Sequence, residues 1–409
     1  MPLSGRFSSR LLHALAFTWG ACTFFPVGVG YLNLLLMLMA LGTSGDLCER
    51  VTRFRGTRLA WPMAAFLAWA LVAAVVGPWV EDSPTRLFHI VRVLLVLTMG
   101  MLLSPSEARL AIGGFLVAAL LAALAVAVHH VWGLPEWDIW GSLLRSRNNF
   151  SSGNMIMMAT AVGLLFYLGL ASAADPSLRW AAWGGSMALL VTVAEHALSR
   201  NAQILLPALL LIAIVFHYRG WRSLALALAL VGVMALAAWE FSPATQGRFD
   251  AVAREARRVT AQADYTTGVG ERWRMAVEAW NGMLEKPLFG TGLGSWLPRW
   301  REVALQTRGE LGAEALLRHT EINNPHNDFL LAGMESGVPG LLGTAWLLAA
   351  LLAIGWRSRT IAGGATVVLA SSVFLTALIN APLRDAALGM TLLWLLGASI
   401  AAQQEPPHA

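Results

Sequence analysis

Apolar runs of roughly 15 to 25 residues recur from Leu11 almost to the C-terminus, and each can cross a hydrocarbon core about 30 Å thick. In hydrocarbon a backbone has no water to bond to, so such runs satisfy their own amides as helices. Leu, Ala and Gly dominate them, without the alternating polarity of a membrane β-barrel strand. Charged residues make up 13% of the 409, against roughly 25% in soluble domains. Hydrophobic residues make up 57% and are spread too widely for one buried core. The sequence therefore predicts an all-α polytopic membrane protein with about twelve transmembrane helices. They are expected near 8–23, 28–43, 59–78, 87–103, 109–131, 153–173, 179–196, 201–217, 222–238, 328–353, 360–379 and 383–402.

The net charge of +5 sits mostly in short loops, so it reads as membrane topology, with no nucleic-acid partner expected. Arg6 and Arg10 precede the first run. Arg50, Arg53, Arg55 and Arg58 follow the second, Arg219 and Arg222 flank a later turn, and Arg357 and Arg359 follow the tenth. An even helix count puts all of these on one side with both termini, and the positive-inside rule makes that side cytoplasmic. Three regions follow: transmembrane helices in 1–238, a helical outer loop in 239–327, and further membrane helices with a short tail in 328–409. Cys22 and Cys48 suggest no disulfide framework. The first apolar stretch lacks a clear cleavage site and is expected to be a retained helix.

The outer segment has structure of its own. Residues 248–264 interleave Ala, Val and Phe with charge, as an amphipathic helix at a membrane surface does. In 271–287, Trp273, Val277, Trp280 and Leu284 recur at helical spacing and form one apolar stripe, which Pro287 ends. FGTGLGSW (289–296) supplies a glycine-rich turn, and a third helix is expected over 298–319.

Polar groups beside these apolar runs are the candidate site. His326 sits in INNPHNDF (322–329) just ahead of an apolar helix that Asn327 or Asp328 is expected to cap. An imidazole there can accept a proton near neutral pH. Asn324 flanks it. Glu335 lies within the following helix, where it either orients His326 or bonds across to Arg or Asn of another helix; Gly333 and Gly337 allow close packing there. Arg200 ends EHALSR (195–200). Arg147 and Asn148 belong to LLRSRNNF (143–150). Arg272 opens the amphipathic helix, where a cation is unfavourable for the helix itself and calls for an anion. Arginines on one face match phosphate oxygens in a bidentate fork. No phosphate-binding G-x-x-x-x-G-K-[ST] loop and no H-E-x-x-H metal motif occurs, and no metal or cofactor is expected.

These residues together resemble the bacterial O-antigen ligase and polymerase superfamily over nearly the whole chain. The most specific match is NNPHNDFLLAGMESGVPGLLG (323–343), whose functional histidine maps onto His326. ALSR (197–200) places a functional arginine at Arg200. ERWRMAVEAWNGMLEKPLFGTGLG (271–294) places another at Arg272, and RSRNNFSS (145–152) a third, best at Arg147. The resemblance implies a multi-pass protein of a Gram-negative inner membrane, of the GT-C class of glycosyltransferases, with its site facing the periplasm. It implies transfer of O-antigen polysaccharide from undecaprenyl pyrophosphate to a sugar hydroxyl of lipid A–core. His326, Arg272 and Arg200 would be catalytic, with Arg147, Asn148, Asn324, Asn327 and Glu335 at the substrates. An O-antigen polymerase, a protein O-oligosaccharyltransferase and a membrane transporter are the alternatives. The oligomeric state stays open.

Overall fold

The computed structural model describes residues 5–132, 152–172, 174–196, 200–241, 243–262, 264–308 and 320–404. Among these residues the chain is all-α. The helices are α1 (Gly5–Ala21), α2 (Val27–Thr43), α3 (Leu47–Gly56), α4 (Ala60–Val76), α5 (Ser83–Met101), α6 (Pro105–Trp132), α7 (Ser152–Ala171), α8 (Pro176–His196), α9 (Arg200–Tyr218), α10 (Trp221–Phe241), α11 (Pro243–Gln262), α12 (Gly268–Glu285), α13 (Trp296–Arg308), α14 (Asp328–Arg357), α15 (Ile361–Ile379) and α16 (Ala386–Ala401).

The expected count of about twelve spans is corrected. Among the described residues six helices are long and apolar enough to cross a membrane: Ser83–Met101, Pro105–Val128, Gly153–Ala171, Asn201–Tyr218, Asp328–Arg357 and Ile361–Ile379. A seventh arises only if α2 and α3, bent by 106° to one another, count as one broken span. The reason is length as much as hydropathy. At about 1.5 Å per residue, a helix of 17 residues spans about 25 Å, short of the hydrocarbon core. α1 and α4 have 17 residues and α16 has 16. α8 is long enough, but Arg179, Glu195 and His196 dilute it. The described helices carry no GT-C-like features, so that likeness is withdrawn too. The parity argument for the sides of the membrane falls with the count of twelve.

One large apolar core joins α1, α2, α4, α5, α6, α7, α8, α9, α14, α15 and α16. Two helix crossings are backbone on backbone. A Cβ on Gly20 of α1 would lie 2.2 Å from the Ala111 carbonyl of α6, and one on Gly100 of α5 would lie 2.4 Å from the Trp394 carbonyl of α16. Small residues at such crossings let bulky neighbours interdigitate around them. Arg50 of α3, expected as a loop charge, is instead buried in a bidentate pair with Glu107 of α6 at 2.6 and 3.1 Å.

The outer segment supplies α11, α12 and α13. The expected helix in 248–264 is the C-terminal part of α11, and the expected third helix is described as far as Arg308. α12 turns a different face inward from the one expected. Trp273, Trp280 and Leu284 are exposed, whereas Met275, Ala279, Gly282 and Met283 are buried. α12 packs on α14, and its small side permits the approach: a Cβ on Gly282 would lie 2.8 Å from Met334 Cγ. Met275 and Ala279 share a satellite core with Trp296, Trp300, Leu331 and Met334.

α14 is two helices joined at a kink. Gly337 has φ 72° and ψ −174°, and Pro339 follows. Kinks free backbone groups that must find partners within a membrane protein. Here the glycine-rich loop supplies them. Thr291 N donates to Met334 O at 2.7 Å, and Val338 N donates to Pro287 O at 2.7 Å. Trp69 of α4 donates its indole N–H to Ser336 O at 2.7 Å and stacks on Phe289.

A candidate active site at the start of α14

His326 stands in the short connection that leads into α14. Its backbone N–H donates to Asn324 Oδ1 at 2.9 Å, and its φ is +53°. Positive φ in a residue with a Cβ is uncommon and stored strain of this kind gathers at functional sites. Its ring Nδ1 lies 3.2 Å from Asn380 Oδ1, in the turn between α15 and α16. Asn327 caps α14 by accepting from Leu330 N at 2.9 Å, and its amide nitrogen donates to Leu378 O at 3.0 Å. Asp328 is buried and accepts from Leu383 N at 2.9 Å. Three consecutive residues are thus knitted to the 378–383 turn.

α12 brings charge to this point. Arg272 and Glu271 both act electrostatically on the His326 ring. Burial pushes the imidazole below its ordinary pKa. The Asn380 hydrogen bond pushes it up, the Arg272 charge down and the Glu271 charge up. The net shift is downward, which favours the neutral ring with a lone pair available. Arg272 Nη1 also donates to Asn201 Oδ1 at 3.3 Å. Asn201 follows Arg200, which begins α9. The Arg272 guanidinium thus bonds to the first turn of α9 and acts through its charge on the His326 ring. Together they can orient an oxyanion and take up a proton beside it.

Of the residues singled out in the sequence, Arg272 acts through its charge on His326 and bonds to Asn201, the neighbour of Arg200, whose own side chain is not among those described. Asn324 and Asn327 shape the His326 loop through the bonds given above. Arg147 and Asn148 lie outside the described residues. Glu335 is buried with a different set of partners. One oxygen takes the Arg86 Nε–H, and the other accepts from Gly294 N at 3.1 Å. It shares neither partner with His326. The Gly294 bond ties the kink of α14 to the glycine loop, and Ser83 at the start of α5 holds the same loop by donating to Leu293 O at 2.6 Å.

Sequence reasoning missed Asn380, Asn201, Glu271 and Arg86. Glu271 neighbours Arg272 in a recognisable motif, which was a usable signal. The others sit far along the chain from the groups they hold.

The O-antigen ligase family model matches residues 185–345, from the middle of α8 to just past the middle of α14. That span includes Arg200, Arg272, the glycine loop, His326 and Glu335. No curated protein matches the chain. The match supports a membrane enzyme of the O-antigen ligase type acting on glycan and lipid substrates. An O-antigen ligase family domain is present in this chain, over residues 185–345.

Proposed function

We propose that the protein transfers a glycan from undecaprenyl pyrophosphate to a sugar hydroxyl of lipid A–core, at the start of α14. The observation that carries this is that Arg272 acts on the His326 ring while bonding to Asn201, next to Arg200 at the start of α9. His326 takes the acceptor hydroxyl proton as general base. The acceptor oxygen bonds to the anomeric carbon while the bond from that carbon to the diphosphate oxygen breaks, and the electron pair leaves on the diphosphate. A single displacement of this kind inverts the anomeric centre. Arg272 and Arg200 hold the growing negative charge, with Arg147 assisting. Preorganised donors of this kind act most strongly in the transition state. Asn324 and Asn327 keep the His326 loop in shape, and Glu335 supports the loop that faces α14. The site would face the periplasm of a Gram-negative inner membrane.

The test is transfer by purified protein from a glycan on undecaprenyl pyrophosphate to lipid A–core, with and without EDTA. Wild type is expected to form product in both conditions, because the arginines neutralise the diphosphate. A folded His326→Ala protein is expected to be slower by about 100-fold or more. Full activity of that variant would remove His326 from the chemistry. Wild type that transfers only to a second lipid-linked glycan, or to a protein, would replace the acceptor named here.

A further inference from the structure

We infer that Asn380 is a positioning residue that holds His326 in the Nδ1–H tautomer and so leaves Nε2 as the proton acceptor. The consequence for transfer rests on the reading of His326 as base.

Asn380 Oδ1 accepts from Ala381 N at 2.9 Å, and only the carbonyl oxygen of an amide can accept. The same oxygen faces His326 Nδ1 at 3.2 Å. A neutral imidazole has one N–H and one lone pair, and the N–H must therefore be on Nδ1. Nε2 then carries the lone pair.

Both partners are held in place. Asn380 N donates to Thr376 O at 2.7 Å, at the end of α15. His326 is fixed through Asn324, and the neighbouring Asn327 and Asp328 bond to Leu378 and Leu383 on either side of Asn380. Asn380 comes from outside residues 185–345, where the family model matches. A neutral amide also suits the task. It orients the ring without adding a negative charge. The charged groups that act on the ring are Arg272 and Glu271, both from α12. A carboxylate at 380 would add a further anion and make the ring harder to deprotonate.

The decisive experiment labels the protein with 15N-histidine and reads the His326 nitrogens in lipid nanodiscs, by difference from His326→Gln. Wild type is expected to carry its proton on Nδ1. Asn380→Leu is expected to lose that preference, and Asn380→Asp to keep it. In transfer assays Asn380→Leu should lower kcat by about 100-fold with little change in the donor KM. Asn380→Asp should recover most of kcat, with the acidic limb of the pH profile moved to higher pH. A merely structural role would move neither the tautomer nor that limb. A proton on Nε2 in wild type, or an unchanged tautomer in Asn380→Leu, overturns the proposal. If Asn380→Leu does not fold, wild type and Asn380→Asp decide it alone. An Asn380-dependent tautomer together with undiminished transfer by His326→Gln would leave the tautomer standing and sink the base reading.

Discussion

His326 has a backbone that a side chain disfavours and a side chain that the site uses. For a residue with a Cβ, the left-handed region costs about 1–2 kcal/mol. His326 occupies it at φ +53°, where its N–H bonds to Asn324 and the neighbouring Asn327 bonds to Leu378. Removing the ring therefore has two outcomes that differ by backbone alone. His326→Gly is expected to be more stable than His326→Ala by about 1 kcal/mol, since glycine relieves the strain. Thermal unfolding in detergent measures this, and equal midpoints would mean that the conformation is unstrained. The candidacy of His326 was legible in the sequence, because a titratable ring between Pro325 and Asn327 ahead of an apolar run is a local pattern. Asn380 was not. It ends an apolar helix shortly before Pro382, where an asparagine reads as an ordinary terminator, and it acts on a residue 54 positions away.

At the scale of elements, the glycine loop and the kink of α14 form one unit. Gly290, Gly292, Gly294 and Gly337 all have positive φ, and loop and kink exchange backbone hydrogen bonds. A Cβ on Gly337 would lie 2.4 Å from Leu288 O, whereas one on Gly343, two turns on, would meet nothing within 4 Å. Gly337→Ala is expected to destabilise by about 2–5 kcal/mol, from strain and from overpacking together. Gly343→Ala should be neutral or slightly stabilising, as in an ordinary helix. Thermal midpoints of the two variants check the contrast, and similar losses in both would mean that the kink is not buttressed as described. The sequence showed a glycine turn in 289–296 without showing what it docks on, because the docking partner is a second glycine placed after the intervening loop. It also misjudged α12. Spacing alone marked Trp273, Trp280 and Leu284, but the inward face is decided by how closely Ala279 and Gly282 let α14 approach. Hydropathy found the apolar runs but neither the short helical lengths of α1, α4 and α16 nor the dilution of α8 by polar residues.

At the scale of the whole molecule, an apolar bundle is joined to its candidate site by buried charge. Arg86 of α5 pairs with Glu335 of α14. Arg384, in the turn beyond Asn380, pairs with Asp82 at the head of α5. Arg92 donates to Tyr31 and to the carbonyls of Arg384 and Asp385. α5, α14 and the turn before α16 are thereby held in register around the His326 loop. Such pairs are weak contributors to net stability but are damaging when halved. Removing one partner strands a charge, which costs about 3–5 kcal/mol, whereas replacing both can be nearly neutral. Glu335→Gln keeps an acceptor for Gly294 N but strands the Arg86 guanidinium. Arg86→Met strands the Glu335 carboxylate instead. The double variant Arg86→Met/Glu335→Gln strands neither and still accepts from Gly294. It is therefore expected to unfold at a higher temperature than either single variant, with a coupling of about 1–3 kcal/mol in the double-mutant cycle. Additive losses would mean that solvent or another group already compensates each charge. The pair would then not be what holds α5 to α14.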